Sequence, residues 1–110
     1  MNKEIESILS KIKINGVNIE FAHLKYRGKK TTYVTYHEIS KDVLYADDYP
    51  YLVIYTYDFD IYSKKNYLKL EEELRTSLLN NDWTWVEDNE DDYESDTSFF
   101  HKTLTFRKEN

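Results

Sequence analysis

Between Tyr51 and Ser63 apolar and polar positions alternate: Tyr51, Val53, Tyr55, Tyr57, Phe59 and Ile61 share one parity, and Asp58 and Asp60 share the other. Period-two alternation of that length predicts a long strand with one buried face and one polar face. Upstream, Ile5, Ile8, Leu9 and Ile12 fall at helical spacing, which predicts a first helix ended by Asn15-Gly16. Val17 to Tyr26 and Thr31 to Ile39 then read as two strands facing each other across a hairpin loop, Arg27-Gly28-Lys29-Lys30. Asp42 to Pro50 reads as an irregular link to the long strand.

After Ser63, Tyr67, Leu70, Leu74 and Leu78 repeat at helical spacing, with Ser63 or Asn66 as candidate caps and Asn80-Asn81-Asp82 as the stop. This helix is expected across the sheet face carrying the odd-numbered residues of the long strand. Trp83 to Glu87 reads as a short strand, Asp88 to Asp96 as a loop, and Ser98 to Lys108 as the last strand, with Phe100, Leu104 and Phe106 on one face. Strands without intervening helices are mainly antiparallel, and the helix after the long strand allows one crossover. The expectation is an α+β fold, a mostly antiparallel sheet of about five strands with two helices packed on one face, in the order α-β-β-β-α-β-β. The chain has one proline and two glycines and no apparent linker or repeat, so residues 1–110 are expected to form a single domain.

Composition adds constraints. Hydrophobic residues make up 40% and aromatics 16%, incompatible with a disordered chain despite 33% charged residues. Eleven tyrosines suggest a surface partly destined for a partner, because the ring fills an interface while the hydroxyl stays wet. Cysteine is absent, which excludes disulfides and thiolate chemistry. The polar start and the lack of a long apolar run predict a protein without a signal peptide or membrane span, retained where it is made. A net charge of −6 argues against binding nucleic acid through phosphate neutralisation.

Candidate chemistry is sparse. Residues 87–96 hold seven carboxylates, yet lack the glycine and the glutamate register of a calcium loop, so a solvated acidic loop able to dock a basic partner is the simpler reading. His23, His37 and His101 lie on strands without the local spacing of metal ligands. Asp58 and Asp60, two residues apart, mark the wet side of a strand as readily as an acid/base pair. Arg27, Lys29 and Lys30, beside Tyr26 and Tyr33, are the one basic cluster and are too few for a nucleic-acid surface. No catalytic, cofactor-binding or metal-binding residues are assigned.

One set of residues is familiar. Tyr55 to Lys64 entering a helix, then Trp85-Val86, then Tyr93-Glu94, then Phe100 to Phe106, resembles the small tail-completion proteins of long-tailed bacteriophages and prophages of Gram-positive bacteria. The resemblance covers about residues 33–107. It implies a non-enzymatic structural protein without cofactor that forms a ring, hexameric in the virion, and that can be a monomer in solution before assembly. Such a tail terminator caps the tail tube, ends its polymerisation and supplies the head-tail joining surface, so the implied partners are itself, the tube protein and a neck or connector protein. The implied location is the virion tail, and the host cytoplasm during assembly.

A ring needs heterologous contacts between identical subunits, which sheet edges and tyrosine-rich segments can supply. The candidate interface residues are Tyr45, Asp47, Asp48 and Tyr49, and Glu90, Asp91, Asp92 and Tyr93. Asp58 and Asp60 are candidate lumen-facing carboxylates that would repel passing DNA. Two alternatives stand beside this reading: a small acidic immunity-type module that docks a basic protein, and a related head-closure component of the neck.

Overall fold

The computed structural model describes all residues from Met1 to Asn110. Two helices, α1 (Asn2–Leu9) and α2 (Leu68–Asn80), accompany eight strands: β1 (Lys13–Ile14), β2 (Val17–Asn18), β3 (Glu20–His23), β4 (Thr32–Ala46), β5 (Tyr49–Ser63), β6 (Thr84–Asp88), β7 (Asp92–Glu94) and β8 (Phe99–Glu109). The main sheet runs β3-β4-β5-β8-β6, with β7 also paired to β8, and β1 and β2 form a separate small hairpin. All pairs in the main sheet are antiparallel except β3 with β4. This is the expected α+β class, with both helices on one face.

From Tyr57 onward that face is built as the alternation predicts, whereas Tyr51, Val53 and Tyr55 of the same parity are not buried, because β5 there has left the helices behind. Tyr57, Phe59 and Ile61 of β5 are buried together with Ile5, Ile8 and Leu9 of α1, Leu70, Leu74 and Leu78 of α2, and Leu104 and Phe106 of β8. Trp83, just after α2, stands edge-on to Tyr57 and Phe59 with centroids 5.7 and 5.8 Å away, an arrangement favoured by the ring quadrupoles. Lys108 pairs with Glu4, tying β8 to α1. The N-cap of α2 is Tyr67 and neither candidate cap, but Asn66 Oδ1 accepts the Leu68 amide at 2.9 Å and Ser63 Oγ accepts the Lys65 amide at 3.2 Å, so both shape the turn that leads into the helix.

Four local expectations are corrected. Helix α1 ends at Leu9, and Asn15-Gly16 instead forms the turn between β1 and β2, with φ of 53° and 78°; paired left-handed residues suit the twist of a tight hairpin. The two strands expected to face each other antiparallel across Arg27–Lys30 are parallel, with Glu20 opposite Tyr33 and His23 opposite Tyr36. After β3 the chain turns back at Leu24, φ 66°, and residues 24–31 return it to the start of β4. That return is held by Tyr26, whose ring stacks on Tyr33 at 4.2 Å, and whose hydroxyl donates to Glu20 Oε1 and accepts the Lys30 amide. Gly28 leaves room for that ring, since a Cβ there would collide with the Tyr26 phenol and displace it.

The expected irregular link at residues 42–50 is strand instead. β4 runs on to Ala46, Asp47-Asp48 makes a two-residue turn with φ of 49° and 67°, and β5 starts at Tyr49. The expected loop at residues 88–96 contains β7, which pairs Asp92 with His101 and Glu94 with Phe99.

The β4–β5 hairpin outruns the rest of the sheet. β3 covers β4 only from Tyr33 to Tyr36, and β8 covers β5 only from Ile54 to Ser63. The remainder projects as a two-stranded arm. It stretches the molecule to 52 Å in its longest dimension and the radius of gyration to 15.1 Å, against about 13 Å for a compact chain of this length.

Candidate functional site

The arm carries the first group of candidate interface residues. Tyr45, Asp47, Asp48 and Tyr49 surround its tip, and all four are exposed; Tyr49 keeps 77% of its surface and Tyr51 63%. Ile39 and Leu44 are exposed along the same hairpin. Beyond Tyr36, β4 has no strand partner on its outer side, and neither has β5 before Ile54. Apolar rings beside free backbone donors and acceptors are what main-chain pairing with another protein uses.

The second group lies on the opposite margin of the sheet. Asp91 is fixed there from two sides: its Oδ1 accepts the Tyr67 hydroxyl at 2.6 Å and sits 3.3 Å from Lys102 Nζ. The Tyr67 hydrogen bond holds the Asp91 carboxyl below its ordinary range, with Lys102 adding to the effect. Burial pushes the Tyr67 phenol up, and the bond to Asp91 pushes it further. Tyr93 packs against Phe100 at 4.9 Å while remaining half exposed, and Glu90 and Asp92 point carboxylates into solvent. Residues 87–96 are thus a tethered acidic limb.

Asp58 and Asp60 lie on the helix-free face, as their parity predicts, but neither is a free carboxylate. Asp58 Oδ1 accepts the Thr105 hydroxyl at 2.6 Å. Asp60, only 9% exposed, accepts the Thr103 hydroxyl at 2.6 Å, lies 3.0 Å from His101 Nε2 and has His37 Nδ1 3.6 Å away. Two of the three histidines therefore flank one aspartate, whereas His23 packs on Tyr36. No set of three or more His, Cys, Asp or Glu side chains is placed to hold a metal ion.

Two features escaped the sequence reading. Rings line up across the helix-free face, with Tyr26 on Tyr33, Tyr33 on Tyr62 and Tyr62 on His101 at 4.2, 5.2 and 4.3 Å. Each belongs to a different segment, so only the strand register reveals the row. Arg75 is the other: it bonds Asp88 at 2.7 Å and Glu71 at 3.1 Å and lies 4.3 Å from the Trp85 ring centre, bracing the base of the acidic limb against α2.

The basic cluster is larger in space than in sequence. Lys30, Lys65 and Lys69 line one hollow of about 330 Å³ with Asn15, Asn18 and Glu20, at the corner where β3 and β4 meet the start of α2. None of these lysines has a carboxylate within salt-bridge distance. Searches against models of known protein families and against curated proteins find no match to this chain.

Proposed function

We propose that this protein is a structural component of a phage tail, assembling as a ring that caps the tail tube, ends its growth and presents the surface that joins the head. The observation that carries the reading is the β4–β5 arm. A strand pair that leaves the core bare on both outer sides and ringed by Tyr45, Tyr49 and Tyr51 contributes little to its own fold. Exposed hydrophobic edges of this kind invite pairing and are normally kept short or charged, so a long one is best explained by a partner that covers it. The tail-completion resemblance supplies the partners: further copies of the chain, the tube protein and the neck.

Lumen-facing carboxylates fit this reading in a modified form. Asp58 and Asp60 are held by Thr105 and Thr103, so they would present a fixed polar lining rather than a mobile fringe of charge.

The test is electron microscopy of tubes grown from a tail tube protein encoded in the same genome. Adding the chain should shorten the tubes and place density at one end, and Tyr45→Ser/Tyr49→Ser/Tyr51→Ser should abolish both effects without unfolding the protein. Tubes of unchanged length with bare ends would refute the proposal.

A further inference from the structure

The charges of this chain are sorted onto opposite margins of its sheet. Residues 11–31 and 65–69 hold eight of the 15 Lys and Arg but one of the 21 Asp and Glu, whereas residues 87–96 hold seven carboxylates and no cation, and Lys64 lies apart from the basic group, over Phe99. Strand register places the two groups relative to each other. Glu20, Tyr33, Tyr62, His101 and Asp92 are successive partners across β3, β4, β5, β8 and β7. That single transverse row spans four strand spacings, about 19 Å. The lysine-lined hollow sits at its β3 end and the acidic limb at its β7 end.

We infer that copies of this chain dock head to tail, with the acidic limb of one seated on the basic β3 corner of the next. Charge complementarity picks the occupant. Lys30, Lys65 and Lys69 line a concave surface whose one carboxylate, Glu20, accepts the Tyr26 hydroxyl and lies beyond salt-bridge distance of all three, and Glu90, Asp92 and Asp96 project without a cation partner from a limb anchored through Asp91. Two further properties suit a copy rather than an unrelated cation-bearing partner. The surfaces lie on opposite margins, so one contact leaves the complementary surface of each subunit free for the next, which is the condition for a heterologous ring or chain. Both margins are also open sheet edges, β3 on one side and β7 on the other.

The inference rests on the self-assembling reading above and adds to it the surface that carries subunit contact. It assigns the arm to the tube or neck and the charged margins to neighbouring copies.

A charge swap tests it. One variant carries Glu90→Lys, Asp92→Lys and Asp96→Lys; the other carries Lys29→Glu, Lys30→Glu and Lys65→Glu. All six positions are exposed, and circular dichroism checks that each variant folds. In sedimentation at low ionic strength and millimolar concentration the wild-type chain should associate, and added salt should weaken it. Each variant alone should raise the apparent dissociation constant about tenfold or more, because like charges then meet across the contact. The two variants mixed in equal amounts should recover the wild-type species, since the mixture again offers opposite charges at every contact. A wild-type chain that stays monomeric, assemblies that neither variant disturbs, or a mixture that fails to recover would each overturn the inference. The tube-end experiment then judges the tail reading separately: association that follows the charge swap while tubes go uncapped would uphold this contact and refute that function.

Discussion

Tyr67 donates its hydroxyl to Asp91 Oδ1 at 2.6 Å, joining the entry of α2 to the acidic limb. The bond adds a side-chain tether from the buried Tyr67 to a solvated limb that is also held by the pairing of β7 with β8 and by Lys102 beside Asp91.

Tyr67→Phe keeps the ring and removes the tether. Asp91 is exposed and rehydrates once released, so the expected cost is below about 1 kcal/mol in urea unfolding, at the low end for a lost hydrogen bond. The bond lowers the Asp91 carboxyl below the unfolded value of about 3.9, so its stabilisation is present above that pH and is lost as pH falls through the folded value. Wild type and Tyr67→Phe should therefore converge in stability in acid. A difference that stays constant or widens below about pH 3 would show that the bond to the carboxylate is not the cause.

Asp60 is expected to matter through its neighbours. Asp60→Ala leaves the Thr103 hydroxyl and the His101 ring without their shared acceptor on a largely buried patch, at a cost of about 1–3 kcal/mol. Asp60→Asn keeps one oxygen acceptor and should lose clearly less. Equal losses in thermal unfolding would show that the hydrogen bonds contribute nothing beyond packing.

How legible these features are in sequence depends on what periodicity can carry. Tyr57, Phe59 and Ile61 of β5 and the Leu70, Leu74, Leu78 stripe were readable because each set buries one face against a single core, so the pattern records a physical difference in solvation. Strand direction leaves no such mark: β3 alternates in the same way whether it runs with β4 or against it, and the parallel pairing follows from Leu24 and Tyr26. Asn15-Gly16 serves both as a helix stop and as a hairpin turn, and only the early end of α1 decides between them. In the arm both faces meet solvent, so Val43, Leu44 and Tyr45 show no alternation and the segment resembles a loop. The polar strand β7 was hidden for the same reason. The hydrogen-bonded surroundings of Asp60 were out of reach, because Thr103 and His101 lie more than 40 residues away and only register brings them to it.

The alkaline limb of stability should report on the tyrosines whose phenols burial raises, Tyr33, Tyr57 and Tyr67 among them. Burial, with smaller contributions from nearby carboxylates, pushes Tyr36 and Tyr62 up to about 12. Both values lie above the unfolded value of about 10, so between them the unfolded chain has released protons that the native chain retains, and stability falls as pH rises. Phenolate absorbance should show a late-titrating fraction that ionises together with unfolding. Ionisation of every tyrosine near pH 10 with native circular dichroism intact would contradict the burial described for Tyr36 and Tyr62.

The tip of the arm offers the most local test. Asp47 and Asp48 both adopt left-handed backbone, a conformation that aspartate tolerates and glycine accepts without steric cost. In two-residue turns of this kind the favoured second residue is glycine. Asp48→Gly should therefore tighten the turn by up to about 1 kcal/mol, partly offset by the greater freedom glycine gives the unfolded chain. Few core contacts link the tip to the rest of the fold, so the gain should be confined to the arm: amide exchange along Val43–Val53 should slow about fivefold while the global unfolding midpoint barely moves. Faster exchange in that segment would mean that the turn is held by contacts of the Asp48 side chain rather than by its backbone. Slower exchange throughout the protein would mean that the arm unfolds together with the core, in which case arm and sheet form one cooperative unit and the picture of a separately poised docking element fails.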